Sequence, residues 1–199
     1  HGANLLLNNN PKESFKIATE LDQFNSERKN LEKNLLNVVL NTLNKNVNDP
    51  VLVLHGYNWH EGIIGIIASR IKDKFNKPTI IISINNNIGK ASARSILGFD
   101  IGSIIIAALE KKILIKGGGH KMAGGFSIEE KKIEEFKKFI IKRFNMKISY
   151  KYDMSNLYSD CLISASALNL NFYQKIDKLS PFGAGNPEPR FILENLKVI

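Results

Sequence analysis

The chain has 199 residues, 43% hydrophobic and 24% charged, as expected of a soluble globular protein with one large domain or two small ones. Its single cysteine, Cys161, excludes an internal disulfide and a cysteine-based zinc site and fits a reducing cytoplasm; no apolar run reaches the length of a membrane span. A net charge of +9 and a pI near 9.5 favour a polyanionic partner such as nucleic acid over a lysine-rich surface that serves solubility alone.

In chain order, residues 11–48 read as helix. Pro11 suits a first turn and Glu13 complements the helix N-terminus. Phe15, Ala18, Leu21, Phe24, Leu31, Leu35, Val38, Val39 and Leu43 follow helical spacing, with Glu20, Glu27, Arg28, Lys29, Glu32 and Lys33 on a solvated face. Asn25 either caps a second helix or sits within one long one. Asn44 to Pro50 reads as a linker.

Residues 51–55 read as a buried strand, 56–60 as a loop and 62–75 as a helix in which Gly65 and Ala68 permit close packing. A strand over 79–84, a turn at Asn85-Asn86-Asn87, a strand over 88–95 and a helix over 101–112 follow. The stretch Gly117 to Phe126 reads as a loop, then come a short strand near 125–128 and an amphipathic helix over 129–143. Strands alternating with helices predict an α/β unit over 50–145, a mixed sheet flanked by helices. After Asn145 the texture changes. A strand over 158–164, a short helix over 165–178, a connector Pro181 to Pro189 and a strand over 190–199 open a β-rich second domain. The chain begins at His1 rather than Met and closes within a strand-like segment, so both ends read as cut.

Five glycines, His120 and Lys121 fall between Gly117 and Phe126. Such a cluster costs backbone entropy and needs a reason. One reason is a tight turn; the other is a concave anion site of backbone N–H groups. His120 there either donates to a phosphate oxygen and stabilises leaving-group charge, or bonds to backbone as a structural histidine. Lys90, Ser92 and Arg94 alternate on one strand and so share a face. A cation, a hydroxyl and a guanidinium fork suit phosphate, against the alternative of an exposed polar strand. Trp59 is either a stacking platform for a base or a packing anchor. His55 and His60 lack metal-ligand spacing, and no acidic cluster that could hold catalytic metals appears.

Several motifs together carry a family resemblance. Trp59-His60-Glu61-Gly62-Ile63-Ile64-Gly65-Ile66-Ile67-Ala68-Ser69-Arg70 resembles the hallmark helix of the RecJ single-strand-specific exonucleases. Lys90 to Ile96 and Gly117 to Phe126 resemble the two motifs of the DHH-associated domain, Pro181 to Pro189 the entry into an OB-fold domain, and Leu21 to Arg28 an interdomain helix. The resemblance divides the chain into a helical connector (1–49), a DHH-associated domain (50–145) and the beginning of an OB domain (146–199).

The resemblance also implies a function. It points to 5′-to-3′ hydrolysis of single-stranded DNA in recombination and repair, dependent on Mn²⁺ or Mg²⁺ bound by an N-terminal DHH domain outside this chain. By itself the chain is then expected to be inactive. His120 is the implied catalytic residue. Ser92, Arg94, Gly118, Gly119 and Lys90 would bind the 5′ phosphate and backbone, and Trp59 and His60 would border the cleft. Single-stranded DNA is the implied partner, with a single-strand-binding protein or helicase by likeness alone. The competing readings are another DHH-type phosphodiesterase, acting on short RNA or cyclic dinucleotides, and a non-catalytic single-strand-binding module.

Overall fold

The computed structural model describes residues 2–43, 48–147, 158–183 and 185–196. The chain divides into two compact units, His1–Tyr152 and Asp153–Ile199.

The first unit opens with α1 (Gly2–Leu7) and α2 (Pro11–Leu43). Helix α2 runs unbroken past Asn25, whose Oδ1 accepts a bond from Arg28 Nη2 at 2.9 Å, so Asn25 starts no second helix. The expected helix extends to residue 48; residues 44–47 lie outside the described residues. At 33 residues α2 is roughly 50 Å long, about twice the reach of the strands it packs on. Only its C-terminal part is therefore covered, through Leu35, Val39 and Leu43. Phe15 and Phe24, which share the helical spacing, remain 77% and 52% exposed. Glu32 corrects the sequence reading. It is buried rather than solvated, and its carboxylate pairs with Arg28 at 3.0 Å and with Arg70 from the next helix.

The remaining elements are β1 (Leu52–Tyr57), α3 (Glu61–Phe75), β2 (Thr79–Asn85), β3 (Ile88–Arg94), α4 (Ile101–Glu110), β4 (Lys116–His120), β5 (Ala123–Glu129) and α5 (Ile133–Lys147). The strands form one five-stranded sheet in the order β1-β2-β3-β5-β4. β1 and β2 are parallel, joined by the α3 crossover; the other pairings are antiparallel. Asn86 and Asn87, with φ of 49° and 61°, make the tight turn between β2 and β3, a conformation asparagine tolerates.

One face of the sheet carries Ile80, Ile82, Ala91, Ala93, Phe126 and Ile128, in register across β2, β3 and β5. α4 and α5 cover it: Phe136 of α5 packs against Phe126 with the rings tilted and their centroids 4.7 Å apart. On the opposite face α3 and the end of α2 bury Leu52, Leu54 and Ile81. β2 is therefore covered on both sides and buried from Thr79 to Ile84, whereas β3 alternates. α3 reaches as far as β3. Beyond it β4 is exposed along its whole length.

In the second unit β6 (Cys161–Leu162) pairs in parallel with β7 (Phe191–Ile192), and α6 (Leu170–Asp177) lies between them in sequence. Asn169 caps α6 by accepting from the Phe172 N–H at 3.0 Å, and Phe172 meets Phe191 at 5.1 Å. Asn186 closes the proline-glycine connector: its side-chain amide donates to Leu179 O at 2.7 Å and Pro181 O at 3.2 Å. The two expected strands are shorter here than the pattern predicts, and residues 197–199 lie outside the described residues.

Candidate nucleic-acid interface

The glycine-rich stretch is not a loop. It is the β4–β5 hairpin, with its turn at Lys121 and Met122. Strand alternation divides its glycines into two sets. Gly117, Gly119 and Gly124 face the covered side. A Cβ on Gly117 would stand 2.6 Å from Phe126 Cβ, and one on Gly119 would stand 2.4 Å from Ala123 O. One on Gly124 would stand 2.4 Å from Ile105 Cδ1 of α4. These three allow close packing. Gly118 and Gly125 face the open side: a Cβ on Gly118 meets nothing within 4 Å, and one on Gly125 meets only Ala91 O at 3.4 Å. Of the two glycines expected in the cleft, Gly118 has its Cβ direction on the open side and Gly119 on the covered side. Of the two readings of the glycine cluster, a tight turn or an anion nest of loop N–H groups, the structure has a hairpin turn flanked by an open strand surface.

That surface is built of cross-strand rungs. Arg94 pairs with Ala123 and Ala123 with His120; Ser92 pairs with Gly125 and Gly125 with Gly118; Lys90 pairs with Ser127 and Ser127 with Lys116. All of these share one face. The Arg94 and His120 backbones lie two inter-strand steps apart, roughly 10 Å, across the small side chain of Ala123. The middle strand offers only Ala, Gly and Ser along the three rungs, which leaves a shallow floor between two polar walls. A concavity of about 480 Å³ is lined by Lys90, Lys116, Gly118, Gly125 and Ser127 among others.

Each wall is fixed locally. Arg94 Nη1 donates to Ser92 Oγ at 3.2 Å and to Ala93 O at 3.0 Å. Gly65 of α3 makes room for both: a Cβ there would stand 3.1 Å from Arg94 Nη2 and from Ser92 Oγ. His120 is held through its hairpin. Ser95 N donates to Met122 O at 2.8 Å and Ile101 N to Lys121 O at 3.2 Å, tying the turn to the end of β3 and the start of α4. Gly102 lets α4 approach, since a Cβ there would be 3.0 Å from the His120 carbonyl carbon. His120 Nδ1 accepts from the Met122 N–H at 3.3 Å. In the neutral ring this places the proton on Nε2, ready to donate outward.

The segment before α3 is structural in its detail. His60 Nδ1 caps α3 by accepting from the Gly62 N–H at 3.1 Å. Trp59 lies over Gly56, where any Cβ would fall 2.3 Å from the indole, and its carbonyl accepts from Ser83 Oγ at 2.6 Å. Its link to the polar face runs through Glu61, whose Oε2 takes Lys90 Nζ at 2.7 Å. His55 faces the side away from the rungs, in register with Ile82. On the rung beyond Lys90, Glu129 is paired with Lys131 at 2.8 Å. The lysine hydrogen bond and charge hold the Glu129 carboxyl below its usual range and raise Lys131 in return.

Sequence reasoning does not single out Lys116, Gly125, Ser127 or Glu61 as part of this surface. Reading 116–120 as a strand would have placed Lys116, Gly118 and His120 on one face. Among the described residues no group of three or more His, Cys, Asp or Glu side chains could hold a metal ion. His120 has no carboxylate companion on its rung, so the side chains of this face do not fit a divalent cation.

A mixed sheet with a serine–arginine strand beside a glycine–histidine hairpin defines a DHH-associated α/β domain, and residues 48–146 match the DHHA1 domain. Residues 159–199 match the RecJ OB domain. The chain is 32% identical over 96% of its length to the single-stranded-DNA-specific exonuclease RecJ of Escherichia coli, covering 34% of that protein. It is 26% identical over 96% of its length to RecJ of Bacillus subtilis, covering 24% of it. The crystal structure of RecJ from Thermus thermophilus in complex with Mn²⁺ superimposes with a TM-score of 0.78 at 26% identity, over 94% of this chain and 27% of that one. The chain thus belongs to the RecJ family, and it spans about a third or less of the length of these relatives.

Proposed function

We propose that this chain is the strand-holding part of a RecJ-type exonuclease that degrades single-stranded DNA from its 5′ end. The observation that carries the reading is the Arg94–Ala123–His120 rung, with Ser92 beside it, on an open and basic sheet face. Arg94 presents a planar fork, Ser92 a hydroxyl and His120 an Nε2–H donor, a set matched to the oxygens of a terminal phosphate. Gly118 and Gly125 allow the sugar–phosphate backbone to lie against main chain. Lys90 supplies a charge further along the strand.

Divalent ions supply the attacking water and charge neutralisation in chemistry of this kind. The residues of this face do not fit them, and a DHH domain outside the chain is the place the family likeness gives them. The part of these residues is to seize the strand end, orient its phosphate and, through His120, donate a hydrogen bond to oxygen charge that develops there. The relatives named RecJ, matched over nearly the whole chain, support this reading over the other phosphodiesterases and the plain binding module.

The test is binding of 5′-phosphorylated and 5′-hydroxyl oligonucleotides to the chain and to Arg94→Ala. The phosphorylated strand should bind tighter, and the variant should lose that preference, at a cost of about 1.5–3 kcal/mol for a charged hydrogen-bonded contact. An unchanged preference removes Arg94 from the role. With Mn²⁺ the chain alone should release no nucleotides; processive release from pure protein would place the cutting chemistry within it.

A further inference from the structure

We propose that Lys90 and Lys116 form a second phosphate subsite, separate from the Arg94–His120 end, that holds a backbone phosphodiester further along the bound strand. It rests on the reading of this face as a DNA interface. Lys90 and Lys116 stand on one rung with Ser127 between them and line the same concavity. Four residues along β3 separate this rung from Arg94, a distance of roughly 13 Å at strand rise. Arg94 is held to Ser92 and Ala93, and Lys90 to Glu61, so each end is placed to serve its own phosphate.

The donor chemistry differs in the matching sense. A fork and an imidazole suit a doubly charged terminal phosphate; two ammonium groups on long stems suit a singly charged diester whose position varies with the sugar between. Their backbones stand about 10 Å apart, so the two long stems can both reach an anion lying between them. Lys116 has no ion pair among the described residues. Lys90 is held at 2.7 Å by Glu61, which stands at the N-terminus of α3 where a carboxylate is favoured in its own right. Lys90 is 56% and Glu61 46% exposed, so the pair exchanges readily with solvent and with an arriving phosphate. The other carboxylate near this rung, Glu129, is engaged by Lys131. Glu61 therefore stores Lys90 until a strand long enough to reach it enters.

A 5′-phosphorylated mononucleotide occupies only the Arg94–His120 end; a tetranucleotide reaches both. The experiment measures binding of 5′-phosphorylated thymidylates of one to six nucleotides to the chain, to Lys116→Gln and to Glu61→Gln at low salt. Affinity should rise between one and four nucleotides. Lys116→Gln should cut tetranucleotide affinity by about three- to fivefold, the size of an exposed ion pair, and leave the mononucleotide as it was. It should also flatten the salt slope by about 0.7, one phosphate contact on a single strand. Glu61→Gln should raise tetranucleotide affinity and not mononucleotide affinity, a gain that misfolding cannot imitate. The subsite is overturned if Lys116→Gln weakens both lengths by the same factor, or neither. It is also overturned if Glu61→Gln acts equally on both lengths. A chain with no preference for a 5′ phosphate defeats the reading of the face, and the subsite with it. An intact preference beside a length gain indifferent to Lys116 defeats the subsite alone.

Discussion

Arg94 and His120 occupy the same rung of the sheet, on the same face, with only the methyl of Ala123 between them. Twenty-six positions separate them in sequence, and helix α4 lies between. The β3–β5–β4 order brings them together because β5, the later strand, inserts between its two neighbours.

Gly65 controls how Arg94 lies. A methyl there would press at 3.1 Å on the Arg94 guanidinium and the Ser92 hydroxyl, both mobile ends rather than backbone. Gly65→Ala should leave the melting temperature unchanged or higher, since alanine in a helix is worth up to about 1 kcal/mol over glycine. The 5′-phosphate preference should nevertheless fall, by up to about 1.5 kcal/mol, as the fork is displaced. Thermal denaturation and oligonucleotide binding on the same sample check both halves.

Adjacent glycines should respond oppositely to the same change. Gly118→Val enters open space and should fold with a melting temperature within a few degrees of the parent while impeding strand binding. Gly119→Val drives carbon into Ala123 O and Gly124 Cα, at 2.4 and 2.5 Å, and should lose about 3 kcal/mol or more of stability. Urea denaturation of the two variants makes the comparison.

The Arg28–Glu32–Arg70 cluster joins α2 to α3 through one buried carboxylate and two partly exposed guanidinium groups. Removing both arginines strands the charge; removing the carboxylate frees two cations that reach water. Arg28→Ala/Arg70→Ala should cost about 3 kcal/mol in urea denaturation, and Glu32→Met less than about 1 kcal/mol. Equal losses would show that the carboxylate itself is needed.

Two exposed pairs at the far end of the sheet set opposite pH behaviour. The Glu129 carboxyl is depressed by Lys131, so its small contribution is present above the ordinary carboxylate pKa and fades as pH falls through the lowered value. Tyr57 donates to Glu130, which raises its phenol above the ordinary 10.0; that contribution is present below pH 10.0 and fades as pH rises through the raised value. NMR titration should show the Glu129 midpoint return upward in Lys131→Gln, and the Tyr57 midpoint fall in Glu130→Gln.

Much of the architecture is legible in the sequence because the signals are local. The apolar runs of β1 and β2, the alternation of Lys90, Ser92 and Arg94, and the amphipathic α5 each follow from strand or helix period. The glycine hairpin escapes such a reading because glycines carry no alternation of polarity, so a strand built from them looks like a loop. Its strand character comes from β5 and α4, which fix it by register and close contact. Glu32 escapes it for a similar reason: the arginine that helps bury it, Arg70, lies on another helix. The N-terminal half of α2 shows the reverse case. Its helical spacing is a sound guide to the helix, yet periodicity cannot say whether a neighbour is there to cover it.

The floor beneath the three rungs is main chain with hardly any side chain above it. Peptide groups repeat identically along a strand, so such a floor has no vocabulary with which to tell adenine from thymine. On the function proposed above, a polymer lying on it would be measured by the rhythm of its charges and by how its end is finished, and every nucleotide order would slide past on equal terms.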